Sequence, residues 1–225
     1  MPDPNWTVVV PVKRLTGAKS RLRGALTGVR HEALALALAT DTVHAVLDCP
    51  VVAEVLVVTG DPEARRVLAR LGARIVPEPT VAGLNPAFVH GAGRSGTGWV
   101  AALTADLPAL RPAELAEALR AAAEPIGDAL PPDAGPDHGP VRRFVADAPG
   151  TGTVLLTAPP TVALDPRFGP GSAAAHAASG ARPLTAGWPT LRRDVDTPAD
   201  LVAATVLGLG PHTAALTRRH APAAT

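Results

Sequence analysis

The feature that most constrains this chain is the alternation of short apolar runs with helix-length segments through its first half. Runs rich in valine, leucine and alanine at residues 6–12, 54–59, 73–76 and 99–105 are typical of buried strands. Segments 27–47 and 63–71 have the length and composition of helices, and the second is predicted to start with Asp61 as its N-cap and Pro62 at its first position. Strands that alternate with helices predict an α/β protein with a mainly parallel sheet and right-handed crossovers.

The second half of the chain is more mixed. Residues 143–147 and 153–157 predict a strand pair, and 191–195 predict a last strand before a helix that is capped by Thr197. Residues 125–140 are rich in Pro, Gly and Asp and predict a flexible surface insertion, and the tail after about 211 is expected to be frayed. No repeat or second domain is evident, so residues 1–225 are predicted to form one domain.

The composition argues against several classes of protein. A net charge of +1 is unlike that of a general nucleic-acid binder, and a single cysteine leaves no internal disulfide or cysteine-cluster metal site. The first residues lack a signal-peptide pattern, and no run of about 18 uncharged apolar residues predicts a membrane span. We therefore expect a cytoplasmic protein without nucleic-acid or membrane partners. A homodimer is compatible with the sequence, which does not fix the oligomeric state.

A basic loop, residues 12–24, follows the first predicted strand. The chain has only two lysines, Lys13 and Lys19, and both lie in this loop, whereas the other permanent cations are arginines. A lysine is a compact point charge that suits a phosphate group. We interpret the loop as a polyphosphate site. A solvated basic turn is the alternative, because the spacing matches neither a P-loop nor a dinucleotide fingerprint.

Acidic residues near the predicted strand ends are candidates for a metal site. Ligands of parallel sheets bind beyond the carboxyl ends of the strands, and Asp106 ends one predicted strand on the same rim as the basic loop. Mg²⁺ is held by one or two carboxylates together with substrate phosphate oxygens, so Asp106 is a candidate ligand, although it could merely cap the turn before Pro108. Asp194 and Asp196 would share one face of the last predicted strand. Asp194 is the better second ligand, because Asp196 lies beside a helix start that it could cap.

Two glycine-containing turns form a third group, at residues 151–153 and 169–172. Glycine allows a backbone to approach a ligand closely. Ser172 precedes a short predicted helix, so its hydroxyl and the following N–H groups are suited to an anion. An ordinary turn and helix cap is the simpler interpretation when these residues are considered alone. His176 lies in the same predicted helix, but nothing else in the sequence supports a functional role for it.

Taken together, these motifs resemble the CofC/FbiD guanylyltransferases. The resemblance rests, in chain order, on V-P-V-K-x-L-x-x-A-K-S-R-L (10–22), G-L-N (83–85), A-D-L-P (105–108), G-T-G-T (150–153), F-G-x-x-S (168–172) and D-V-D-T-P-A-D-L (194–201). The matches cover nearly the whole chain. Pro86 departs from the small residue that is usual after G-L-N, and the insertion at 125–140 looks longer than is usual.

The resemblance implies a Rossmann-like, glycosyltransferase-A-type nucleotidyltransferase fold. It further implies transfer of GMP from GTP to a three-carbon phosphate acid in biosynthesis of the deazaflavin coenzyme F-420. The acceptor is phosphoenolpyruvate in actinobacteria and 2-phospho-L-lactate in archaea, and the GC-rich composition favours the former.

The resemblance also implies residue roles. The nucleotide would contact Pro11, Lys13, Lys19, Ser20, Arg21, Asn85 and Asp106, with Lys13, Lys19 and Arg21 as catalytic cations. Mg²⁺ would bind Asp106 and Asp194, and the acceptor would bind Thr153, Gly169 and Ser172. Asn85 and the turn at residues 59–61 are candidate base contacts, while the guanine preference itself comes only from the resemblance.

Two other functions remain open at this point. A metal-dependent sugar-nucleotide glycosyltransferase, or another sugar-phosphate nucleotidyltransferase, shares the fold and the D-x-D pattern of Asp194 and Asp196. The lysine pair after the first strand argues against the glycosyltransferase, because it suits an attacked triphosphate. A non-catalytic nucleotide-binding module would need the basic loop but not both Asp106 and Asp194.

Overall fold

The apolar runs of the sequence form the strands of one sheet. We describe the protein from a computed structural model, which describes residues 4–18, 20–96, 98–125 and 141–219. The strands are β1 (Trp6–Pro11), β2 (Val52–Val58), β3 (Arg74–Val76), β4 (Trp99–Leu103), β5 (Arg143–Ala146), β6 (Thr153–Ala158) and β7 (Arg182–Pro183). Their order across the sheet is β3-β2-β1-β4-β6-β5-β7.

The sheet is mainly parallel on one side and mixed on the other. β1 pairs in parallel with β2 and β4, and β2 pairs in parallel with β3. β6 is antiparallel to both β4 and β5, and β7 is parallel to β5. The carboxyl ends of β1, β2 and β4 therefore share one edge of the sheet with the amino end of β6. This arrangement confirms the predicted α/β fold with a mainly parallel, mixed sheet.

Helices cover both faces of the sheet. They are α1 (His31–Leu47), α2 (Pro62–Arg70), α3 (Leu84–Ala92), α4 (Pro112–Ala123), α5 (Ser172–Ala178), α6 (Pro189–Arg192), α7 (Pro198–Leu207) and α8 (Pro211–Arg219). Val8 and Val10 of β1 belong to a core cluster with α1, α2 and α4, whereas Val9 belongs to a cluster with α3. Because both faces are buried, β1 is an unbroken apolar run.

A third apolar cluster joins the basic loop to the helices. Leu22 of the loop belongs to a cluster with Leu34 and Leu38 of α1. Leu201 of α7 and Val195, which precedes that helix, belong to the same cluster. This cluster brings the segment around Asp194 close to the basic loop.

Two predicted helix starts are confirmed. Asp61 Oδ1 accepts hydrogen bonds from the N–H groups of Glu63 (2.9 Å) and Ala64 (3.0 Å) at the start of α2. Thr197 and Asp200 form a capping box at the start of α7.

The predicted strand at residues 191–195 is wrong. Its first residues belong to α6 (Pro189–Arg192), and residues 193–195 lie outside the sheet. Glu114 Oε2 accepts from the N–H groups of Thr190 (2.8 Å) and Leu191 (3.2 Å). Because this carboxylate satisfies N–H groups that a helix start leaves without partners, the segment begins a helix despite its strand-like composition.

The frayed tail predicted after about 211 is also wrong for residues 211–219, which form α8. The buried Asp41 of α1 accepts hydrogen bonds from the N–H groups of His212 (2.9 Å) and Thr213 (2.7 Å), and thereby holds α8 against α1. Almost all of the predicted insertion lies at residues 126–140, outside the described residues. The single-domain organisation of residues 1–225 stays a prediction.

No single helix in the described part of the chain is long and apolar enough to cross a bilayer. α7 and α8 reach that length and apolarity only as a pair, and this pair is bent by 115°.

Candidate active site

A cleft of about 740 Å³ lies at the sheet edge formed by the carboxyl ends of β1 and β4. It brings together segments that are far apart in the sequence. Of the residues predicted for the site, Pro11, Lys13, Arg21, Asp106, Thr153, Gly169, Ser172 and Asp194 line the cleft. Asp147 and Asp196 line it as well.

The basic loop forms one wall of the cleft. Its Lys13 and Arg21 are exposed and line the cleft, Lys13 two residues after β1 and Arg21 within a short 3-10 turn. Lys19 and the side chain of Ser20 are outside the described part of the chain, so their roles stay predictions. Two cations on one wall suit a polyphosphate.

Asp61 holds the basic loop in place. Besides capping α2, it accepts a hydrogen bond through Oδ2 from the N–H of Leu15 (3.0 Å). Burial alone would raise the pKa of Asp61, but hydrogen bonds from the Ala64, Leu15 and Glu63 N–H groups outweigh burial, and the pKa falls below its usual value. Both oxygens of Asp61 are therefore engaged in positioning the loop, which leaves this carboxylate poorly suited to the base contact suggested for residues 59–61.

Besides Asp147, three aspartates line the cleft. Asp106 follows β4, and its backbone carbonyl accepts a hydrogen bond from the N–H of Val195 (3.0 Å). Asp194 and Asp196 flank Val195, so this bond brings them beside Asp106 although they are distant in the sequence. The next residue after Asp106, Leu107, donates its N–H to Thr42 Oγ1 of α1 over 2.9 Å, which fixes the turn.

Asp196 is not the cap of α7. The cap is Thr197, and the Asp200 carboxylate accepts from the N–H of Asp196 (3.2 Å) and of Thr197 (2.8 Å). The side chain of Asp196 is exposed and lines the cleft. Asp196 is therefore a third carboxylate beside Asp106 and Asp194.

The donor set fits a divalent cation that prefers oxygen ligands. Among the described residues, no group of three or more His, Cys, Asp or Glu side chains is arranged to hold a metal ion. Mg²⁺ does not require such a group, because it keeps water ligands and takes substrate phosphate oxygens beside one or two carboxylates. Asp106 and Asp194 are suitable protein ligands in this sense, and one oxygen of Asp106 is buried.

A second wall, formed by residues 151–153 and 167–172, is called here the glycine-rich wall. Its first turn is held by Asp147, whose two carboxylate oxygens accept from the N–H groups of Thr151 (2.9 Å) and Gly152 (2.8 Å). A side chain at residue 152 would collide with this carboxylate. The turn places Thr153, which is 5% exposed, at the start of β6.

The second turn of this wall needs its glycines, because Gly169 and Gly171 have φ angles of 140° and 71°. The N–H of Ser172 donates to Gly169 O (3.1 Å), and the N–H of Ala173 donates to Thr151 O (3.1 Å). The N–H of Ala173, one of those that the sequence predicted to hold an anion, is therefore not available to one. The hydroxyl of Ser172 remains a candidate contact.

Asn85 joins α3 to the glycine-rich wall. Its Nδ2 donates to Phe168 O (3.0 Å), and its Oδ1 accepts from the N–H of Phe168 (2.8 Å). The Phe168 ring lies 4.4 Å from the Phe88 ring of α3. Because both atoms of its amide are engaged in this way, the geometry favours a positioning role for Asn85, and its predicted contact with the nucleotide is not supported by it.

His176 of α5 contacts the glycine-rich wall, and the sequence did not single it out. It is fully buried, and Nδ1 lies 2.9 Å from Thr153 Oγ1. Burial and the nearby Arg142 cation lower the pKa of His176 to about 4, despite opposing effects of Asp165 and the Ser172 backbone. The only signal in the sequence was its position four residues after Ser172, one helical turn away.

Comparison with known proteins decides the family. A sequence model of the MobA-like NTP transferase domain matches residues 36–186. A phosphoenolpyruvate guanylyltransferase of Salinispora arenicola is 63% identical over 219 residues, which cover 97% of this chain and 96% of the relative. A phosphoenolpyruvate guanylyltransferase of Geodermatophilus obscurus is 55% identical over 94% of this chain and 93% of the relative.

The chain belongs to the phosphoenolpyruvate guanylyltransferase family, within the MobA-like NTP transferases. A solved structure of a Methanothermobacter nucleotidyl transferase is similar to it, with a TM-score of 0.61 and 18% identity over 91% of this chain and 98% of that chain. At that identity the likeness shows the fold alone, and it confirms the nucleotidyltransferase type predicted from the sequence. As a member of this guanylyltransferase family, the protein is a nucleotidyltransferase enzyme.

Proposed function

We propose that this enzyme transfers GMP from GTP to the phosphate of phosphoenolpyruvate and releases pyrophosphate. The observation that carries the proposal is the cleft itself, in which exposed cations, four aspartates and the buried Thr153 and Ser172 of the glycine-rich wall line one volume. The names of the relatives at 63% and 55% identity support the same reaction.

The reaction joins two anions. An oxygen of the acceptor phosphate attacks the α-phosphorus of GTP, a new O–P bond forms, and the bond from the α-phosphorus to the bridging oxygen breaks as pyrophosphate leaves. The nucleophile is already anionic, so no general base is needed. Catalysis then consists mainly of positioning and charge neutralisation.

The residues of this chain divide that work. Lys13 and Arg21, with Lys19 by prediction, bind the triphosphate and stabilise charge on the leaving pyrophosphate. Thr153, Gly169 and Ser172 bind the acceptor. Asp106 and Asp194 would hold Mg²⁺, which would neutralise phosphate charge when bound.

Phosphoenolpyruvate is the favoured acceptor because the relatives at high identity are named for it. The product would be enolpyruvoyl-diphospho-guanosine, which we assign to biosynthesis of coenzyme F-420 in the cytoplasm. The homodimer stays a prediction.

Pyrophosphate release tests the proposal. Purified protein with GTP and Mg²⁺ is given phosphoenolpyruvate, 2-phospho-L-lactate or no acceptor, and ATP replaces GTP in a parallel set. We expect release with GTP and phosphoenolpyruvate, and little release without an acceptor. Pyrophosphate release only with 2-phospho-L-lactate would show that this acid, and not phosphoenolpyruvate, is the acceptor. No release from folded protein with either acid would favour the glycosyltransferase or the binding module.

A further inference from the structure

The hydrogen bonds of His176 define its tautomer. The N–H of Arg167 donates to Nε2 over 2.8 Å, so Nε2 presents a lone pair and carries no proton. Because burial and the Arg142 cation lower the pKa of His176 to about 4, the ring is neutral at pH 7. A neutral imidazole has one N–H group, and its proton is therefore on Nδ1.

This tautomer fixes the role of the Thr153 hydroxyl. Nδ1–H donates to Thr153 Oγ1, which lies 2.9 Å away and must accept. The hydroxyl hydrogen of Thr153 cannot point back at Nδ1, because that nitrogen has no free lone pair. Within the described part of the chain, Oγ1 has no other hydrogen-bonding partner. Since Thr153 lines the cleft, its hydrogen is left to donate to a ligand there.

The surroundings prevent the ring from turning over. His176 is fully buried, its centroid is 5.1 Å from that of Phe168 in an edge-on contact, and Phe144 lies 5.9 Å away. A flipped or re-oriented ring would lose the bond from the Arg167 N–H. Burial without that bond is unfavourable for a polar group.

We propose that His176 is a positioning residue that makes the Thr153 hydroxyl a hydrogen-bond donor to an anionic oxygen of the acceptor. The proposal rests on the proposed function, since it takes this wall to be the acceptor side. A freely rotating hydroxyl offers a hydrogen or a lone pair equally, and a lone pair repels an anion. Held as a donor, Thr153 selects a carboxylate or phosphate oxygen over a group that itself donates.

Two substitutions separate this role from simple packing. His176→Asn places an amide N–H near the position of Nδ1 and keeps a donor toward Thr153. His176→Gln carries its amide near the position of Nε2, so it keeps an acceptor for the Arg167 N–H but not the donor. His44→Gln, at a partly exposed position on α1, is the matched control.

Initial rates of pyrophosphate release give KM for each substrate. We expect His176→Gln to raise KM for phosphoenolpyruvate about tenfold, and His176→Asn to raise it no more than about threefold, with KM for GTP within about twofold in both. Thr153→Val should match His176→Gln, and the double variant should be no worse than Thr153→Val alone. The proposal would be overturned if the two His176 variants raised KM for phosphoenolpyruvate equally, or if they raised KM for GTP as well. It would also be overturned if the effects of the His176 and Thr153 substitutions added up in the double variant.

An NMR measurement tests the tautomer independently of any reaction. The protein is labelled with ¹⁵N-histidine, and His176 is assigned by its loss in His176→Asn, or by elimination among the seven histidines if that variant does not fold. Two-bond ¹⁵N–¹H spectra should show a neutral Nδ1–H ring from pH 6 to 8. An Nε2–H tautomer or a charged ring would overturn the proposal even if the enzyme proved active. An Nδ1–H ring in a protein that used another acceptor would refute only the proposed function.

Discussion

The two walls of the cleft are built differently. The basic wall presents exposed Lys13 and Arg21 from a loop that is held at Leu15 by Asp61. The glycine-rich wall presents Thr153 and Ser172, which are 5% and 2% exposed. The glycine-rich wall is held by Asp147 and Asn85, which accept hydrogen bonds from its backbone N–H groups, and by the contact of His176 with Thr153.

The difference matches the proposed substrates. A nucleoside triphosphate is large and carries several charges, so a few exposed cations are enough to attract and hold its phosphates. A three-carbon acid offers few atoms for recognition, and its site must therefore be rigid before binding. The aspartates between these walls have a different proposed role, because they would hold the Mg²⁺ that neutralises charge on the reacting phosphates.

The largest effect is expected at the aspartates. Asp106→Asn should lower kcat about 100- to 1000-fold while leaving the thermal unfolding midpoint nearly unchanged, because the cleft loses the charge that would hold Mg²⁺. Asp194→Asn should act in the same direction. Asp48→Asn, at the exposed end of α1, is the control, and steady-state rates are the measurement. A kcat within tenfold of the parent value in Asp106→Asn would contradict the assigned role.

The glycine-rich wall should respond to acid through His176, which contacts Thr153. Its pKa is about 4 when folded and about 6.5 when unfolded, so the unfolded state binds more protons between these values. The free energy of unfolding should therefore fall as pH drops from 6.5 to 4, by on the order of 3 kcal/mol for this group. Urea unfolding at several pH values measures this loss. The difference between the parent and His176→Asn isolates it, and parallel pH profiles would contradict it.

A smaller, selective effect is expected at Asn85. Asn85→Ala removes both hydrogen bonds to Phe168 and should raise KM for phosphoenolpyruvate about tenfold, with KM for GTP within twofold. Val89→Ala, at an exposed position on the same helix, should have no effect. Kinetics with each substrate varied in turn would decide the matter. A rise in KM for GTP alone would restore the base contact predicted from the sequence.

The smallest effect is expected at the basic wall. Arg21→Gln should raise KM for GTP and lower kcat, so that kcat/KM for GTP falls about three- to fivefold while KM for phosphoenolpyruvate is unchanged, because an exposed cation contributes only about 1 kcal/mol or less. Added salt should reduce the difference between parent and variant. Rates at low and moderate salt test this, and a hundredfold effect would mean that Arg21 becomes buried when GTP binds.

The parts of the fold that depend on local pattern were predictable. Neighbouring residues alone are enough to predict the buried runs of β1, β2 and β4 and the helix caps at Asp61 and Thr197. The segment at 191–195 was not predictable, because Glu114 of α4 supplies the partners that make Thr190 and Leu191 helical. The helix at 211–219 likewise depends on Asp41, which lies far away in the sequence.

In the site, too, local pattern predicts some residues, whereas contacts between distant segments determine others. Asp106 could be predicted because it ends a predicted strand, and residues 169–172 because glycine allows a backbone to approach a ligand closely. The positive φ angles of Gly169 and Gly171 are seen only in the structure. The contact that brings Val195 to Asp106 is a backbone bond between distant segments, which no local pattern encodes. Asn85 and His176 act through Phe168 and Thr153, so their roles emerge only when the wall is assembled.

The most direct test of the two-wall account is a crystal structure with Mg²⁺, phosphoenolpyruvate and an α,β-methylene analogue of GTP, which cannot react. We predict the triphosphate against Lys13 and Arg21, the α-phosphate beside Asp106, and an anionic oxygen of phosphoenolpyruvate within hydrogen-bonding distance of Thr153 Oγ1. An acceptor bound away from residues 151–153 and 167–172, or a triphosphate bound there instead, would contradict the account.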